Sequence, residues 1–106
     1  MNLAELFRQA NEMQARAKEM QAKLAQIEVE GVSGAGLVRV TLNGKSELVR
    51  IAIDPSLMKA EDRVTVEDLV VAAHADARTK LERSVAEAMK SFAGALGLPP
   101  GLGLPT

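Results

Sequence analysis

Cysteine is absent from this chain, which excludes disulfides, thiolate metal sites and cysteine nucleophiles. Tryptophan and tyrosine are absent too, leaving Phe7 and Phe92 as the only aromatic side chains. A stacking platform for single-stranded nucleic acid is therefore missing, and the core has to be built from Leu, Val, Ile, Met and Ala. In one domain of 106 residues such a core is thin, so a second copy of the chain would add useful burial. The N-terminus is interrupted by Glu5 and Arg8 and holds no apolar run resembling a signal peptide or membrane span, so a cytoplasmic protein without membrane contact is expected. His74, the only histidine, has neither cysteine nor a carboxylate pair beside it, and reads as a helix-surface or interface residue rather than a metal ligand. With one histidine and dispersed acids the sequence offers no nucleophile–base pair. No enzyme, cofactor, metal or small-molecule substrate is expected. Thirteen basic and fourteen acidic side chains give a net charge of −1, so any binding to a polyanion has to come from local patches.

What is present is organised around the stretch Ser33–Ile53, SGAGLVRVTLNGKSELVRIAI. Val38, Val40, Leu42, Val49, Ile51 and Ile53 alternate with Leu37, Arg39, Thr41, Leu48, Arg50 and Ala52, the two-residue period of a half-buried ribbon. Asn43-Gly44 separates the two runs and tolerates the positive φ of a reversal. A four-residue loop over Asn43 to Ser46 would set Val40 opposite Val49 and Val38 opposite Ile51, burying more than a two-residue turn that sets Val38 opposite Val49. The longer loop is the expectation. Glu28-Val29-Glu30 leads through Gly31 into Gly34-Ala35-Gly36 and predicts a short first strand, completing a three-stranded antiparallel meander. Gly34 and Gly36 open a strand rather than a helix, so they suit a turn and not a phosphate cradle. Asp54-Pro55 ends the third strand, with Asp54 in a turn-capping role.

Two long helices flank the ribbon. Leu3, Leu6, Ala10, Met13, Ala17, Met20, Leu24 and Ile27 recur in alternating steps of three and four, an a/d heptad seam that predicts helix 1 over residues 2–27. At 1.5 Å per residue this rod is roughly 40 Å long, so much of it should project from the body. Its seam, Leu6, Ala10, Met13, Ala17, Met20 and Leu24, needs a partner helix from this chain or a second copy. Thr65 as N-cap, with Glu67 and Asp68 in the first turn, predicts a second helix over 65–93. Gly94 and Gly97 should end it, leaving 94–106 as a Gly/Leu/Pro tail. The fold class is α+β, one domain over 1–106: long N-terminal helix, three-stranded antiparallel meander (28–53), long C-terminal helix, tail.

EVEGVSGAGLVRVTLNG, VRIAIDPSLM, VEDLVVAAHADA and LPPGLGLP occur in that order, and over nearly the whole chain the sequence resembles the YbaB/EbfC family of bacterial nucleoid-associated proteins. The resemblance implies an intertwined or face-to-face homodimer with projecting helical arms. It also implies binding to double-stranded DNA with little sequence preference, a place in the nucleoid, and an influence on gene expression. Carried over to this chain, the DNA-contacting positions would be Arg8, Arg16, Lys18 and Lys23 on helix 1 and Arg78, Lys80, Arg83 and Lys90 on the second helix. Arg39, Lys45 and Arg50 on the ribbon stand behind them. Glu5, Glu12, Glu19, Glu82 and Glu87 interleave with these cations, so attraction to phosphate is expected to be moderate. The alternative is a protein-interaction scaffold whose arms and apolar tail bind another protein.

Overall fold

The computed structural model describes residues 2–95, and the tail beyond Ala95 lies outside the described residues. Five elements follow in order: α1 (Leu3–Gln26), β1 (Glu28–Ser33), β2 (Val38–Asn43), β3 (Leu48–Ile53) and α2 (Arg63–Ala95). The strands form one antiparallel sheet in the order β1-β2-β3. The molecule is about 70 Å long and far narrower in the other two directions, because α1 leaves the body as a rod.

Asn2 starts α1 by accepting the Glu5 amide on Oδ1 at 3.2 Å. The other end is fastened by the hairpin turn: the Gly44 amide donates to the carbonyls of both Leu24 and Ile27, each at 2.9 Å. A Cβ at Gly44 would strike the Leu24 carbonyl, so only glycine brings the turn this close. Along α1 only Met20 is buried, Leu24 is half-buried, and Leu6, Ala10, Met13 and Ala17 are exposed.

The hairpin register differs from the expected one. Val38 stands opposite Ile53, Val40 opposite Ile51 and Leu42 opposite Leu48, which leaves Val49 as an extra residue in β3. The cause lies in the turn. Asn43 Oδ1 accepts the amides of Lys45 (2.9 Å) and Glu47 (3.0 Å), and Ser46 takes a φ of 65°. The loop therefore closes on the pair Asn43–Glu47, tighter than a four-residue loop, and the bulge at Val49 returns the remaining residues to an in-phase ladder.

β1 is longer than its three-residue expectation and continues through Gly31 to Ser33. Gly31 sits under α2, where a Cβ would strike the Ala73 carbonyl and the Ala77 amide nitrogen. That approach lets Ala73, Ala77 and Leu81 bury against Val38, Val40 and Leu42, all nearly inaccessible. Each fully buried Val or Leu contributes about 1.5–3 kcal/mol. Val49 and Ile51 were expected to share this burial and do not: they are 45% and 43% exposed, because α2 lies over β1 and β2.

α2 starts at Arg63, ahead of the expected Thr65 cap, because a 3-10 turn over Ala60–Asp62 runs straight into it. Glu67 then lies beyond the first turn and pairs with Arg63 at 3.7 Å. The helix also passes through Gly94, which costs a helix about 1 kcal/mol but does not by itself stop one.

Candidate nucleic-acid interface

α2 runs antiparallel to β1 and is fastened to it by three bonds. Ser33 Oγ donates to the Leu69 carbonyl (2.6 Å), the Val32 amide donates to Asp76 Oδ2 (2.9 Å), and Lys80 Nζ donates to the Glu30 carbonyl (3.0 Å). Lys80 also pairs with Asp76 at 2.9 Å. The Val32 amide, and after it Lys80, holds the Asp76 carboxyl below its ordinary pKa. Together these side chains occupy the outer edge of β1. Among the described residues nothing pairs with the outer edge of β3.

Because β1 is crossed in this direction, the part of α2 beyond Leu81 passes the end of the sheet from which α1 departs. Arg83 and Lys90 are therefore carried past the end of the sheet at which α1 is attached, whereas Arg78 and Lys80 stay level with β1. Arg8, Arg16 and Lys18 are exposed on α1 and, among the described residues, form no ion pair. Lys23 pairs with Glu19 at 3.8 Å. On α2, Arg78, Arg83 and Lys90 are exposed without an ion pair among the described residues, whereas Lys80 is engaged at β1. The ribbon cations are partly committed: Arg39 pairs with Glu30 at 3.2 Å and Arg50 approaches Glu28 at 4.0 Å, while Lys45 stands exposed in the turn.

Charge on the arm is mixed around its circumference. Glu5, Glu12 and Glu19 repeat every seven residues and form one acidic row, with Arg16 and Lys23 on one side of it and Arg8 and Lys18 on the other. The described residues include no group of three His, Cys, Asp or Glu side chains able to hold a metal. No described helix is long and apolar enough to cross a membrane. His74 lies at the edge of a shallow apolar depression with Val40, Leu48, Ile51, Val70 and Val71. Asp76 was missed as a structural residue; its spacing of four from Lys80 is the only signal the sequence carries for it.

A model of the YbaB/EbfC DNA-binding family matches residues 1–96. The chain belongs to the YbaB/EbfC DNA-binding family. A nucleoid-associated protein of Rhodopseudomonas palustris (strain TIE-1) is 54% identical over 99 residues, covering 93% of each chain. One from Granulibacter bethesdensis is 53% identical over 104 residues, covering 98% of this chain and 97% of that one. Among solved structures, an uncharacterized protein of Helicobacter pylori superposes with a TM-score of 0.64 at 26% identity, over 91% of this chain and 97% of its own. The YbaB/EbfC fold is thus shared along essentially the whole described chain. The family is one of DNA-binding proteins and not of enzymes.

Proposed function

We propose that this YbaB/EbfC protein is a cytoplasmic, nucleoid-associated homodimer that grips double-stranded DNA through phosphate contacts. Base edges are not read, and the bound duplex is bridged or bent in ways that influence gene expression. The observation that carries this reading is the exposure of Arg8, Arg16 and Lys18, free of ion pairs among the described residues, on a helix that stands clear of the body. Such cations release counterions from the duplex and position the protein without specifying sequence. Arg83 and Lys90 extend the same end of the molecule.

The homodimer reading draws on β3. Its outer edge is open among the described residues, Leu48 and Ile51 are largely exposed, and Val71 on the adjacent face of α2 is 71% exposed. An apolar edge strand left in this state is a pairing template, and a second copy covering it supplies the burial that a core without large rings lacks.

The test is fluorescence anisotropy on a labelled random duplex across a salt series, comparing the native chain with Arg8→Glu/Arg16→Glu/Lys18→Glu. Binding that weakens steeply with salt, and a variant whose log–log slope is shallower by about 5 because each dimer loses six cations, is the expected result. A variant with the native slope removes α1 from the interface. Absence of binding even at low salt selects the second reading, a protein-interaction scaffold, which the interleaved acids of the arm favour.

A further inference from the structure

The bare seam of α1 has a pattern of its own. One row consists of Leu3, Ala10, Ala17 and Leu24 and the other of Leu6, Met13, Met20 and Ile27, so the small residues fall in a single row. Leu3, Leu6 and Met13 are 68%, 45% and 72% exposed, and Ala10 and Ala17 are exposed with them. Only from Met20 onward does the seam meet this chain's own body.

A parallel pair of such helices sets each row against itself, so Ala10 meets Ala10 and Ala17 meets Ala17. Two layers, on either side of the Met13 layer, are then underfilled, at a cost in lost contacts and cavity. An antiparallel pair sets one row against the other: Ala10 meets the second copy's Met13, and Ala17 meets its Leu6. Every layer between Leu6 and Ala17 then holds one large and one small side chain, the arrangement that fills space at native density. The flanks agree. Gln9 falls opposite Arg16 and Phe7 opposite Gln14, so no like charges face each other. Glu5, Glu12 and Glu19 stand outside the contact, and Arg8 and Ala15 point away from it.

The geometry points to a second self-contact in this protein: the arm seam pairs antiparallel with the arm seam of another copy, between Leu6 and Ala17. This surface is separate from β3 and does not depend on DNA binding. It spans only two heptads, fewer than the three or four of a self-sufficient coiled coil, so the association is weak at low concentration. It strengthens when copies are held side by side. Because Arg8 points away from the seam, pairing leaves it free for a polyanion.

The absence of native cysteine makes the test clean. Ala10→Cys and Met13→Cys variants are prepared separately, mixed without DNA under mild oxidation, and the disulfide-linked products identified by mass spectrometry. Ala15→Cys, on the opposite side of the same exposed helix, is the control. The antiparallel seam predicts that the mixed 10–13 product dominates both self-linked products and exceeds any product of Ala15→Cys, since facing seam positions approach within disulfide range. Dominance of the self-linked 10–10 and 13–13 products overturns the antiparallel arrangement. Crosslinking no greater than that of Ala15→Cys overturns the seam contact altogether. Circular dichroism of the reduced variants confirms that each retains its helices, so neither negative result can be attributed to unfolding.

Discussion

Replacing Gly31 with alanine should cost this protein much of its stability although it adds one methyl group. The added Cβ points at the Ala73 carbonyl and the Ala77 amide nitrogen, backbone atoms that cannot rotate away. α2 must therefore lift or slide, and overpacking of this kind costs about 1–3 kcal/mol. The displacement also stretches the bonds Ser33 to Leu69, Val32 to Asp76 and Lys80 to Glu30, each contributing about 0.5–1.5 kcal/mol. Together the loss is about 3–6 kcal/mol, a large share of the 5–15 kcal/mol typical of a domain. At roughly 4 °C or more per kcal/mol, the Tm should fall by about 12 °C or more. The measurement is thermal unfolding followed by circular dichroism at 222 nm, with protein concentration held fixed because oligomerisation shifts Tm by mass action. Gly94→Ala is the internal control, since a Cβ there meets nothing within 4 Å and helix propensity rises by about 0.5–1 kcal/mol. If Gly31→Ala unfolds within about 1 kcal/mol of the native chain, the close approach of helix and strand is not what organises this core.

Asp76→Asn should destabilise the protein near neutral pH, with a deficit that disappears in acid. Its carboxyl has a lowered pKa in the folded state, so its contribution is fully present above the unfolded value of about 3.9 and is lost as pH falls through the folded value. Urea titrations at a series of pH values check this, and a deficit independent of pH refutes the assignment. Ile51→Arg places a charge on the open side of β3 and should shift sedimentation velocity toward the 11.3 kDa monomer while leaving far-ultraviolet circular dichroism intact; an unchanged sedimentation coefficient means that the copies meet elsewhere.

The helices and strands of this fold were legible because each is written in its own period: steps of three and four through Leu3 to Ile27, steps of two through Val38 to Leu42. The register of the hairpin was not. It is decided by the Asn43 side chain capturing two amides and by the Val49 bulge, and neither leaves a mark in the spacing of apolar residues. The start of α2 escaped for a similar reason, since the Ala60–Asp62 turn supplies the entry that Thr65 was expected to supply. Of the expected cationic positions, exposure was predictable from residue type, but occupancy was not. Lys80 bonds to Glu30 and Asp76, and the Glu30 contact arises only when α2 folds back across β1.

The attachment of α1 sets how it moves. Met20, Leu24 and Ile27 hold it by its last two turns, with the Gly44 amide as its anchor, and the remaining length is a lever. From Met20 to Leu3 that lever measures about 26 Å, so a tilt of about 10° at the anchor sweeps the tip through roughly 5 Å. A small change in the pitch of one peptide turn thus becomes a displacement comparable to the spacing of neighbouring phosphates. The position of the tip of an arm hung in this way is set by the anchor turn and not by packing along its length.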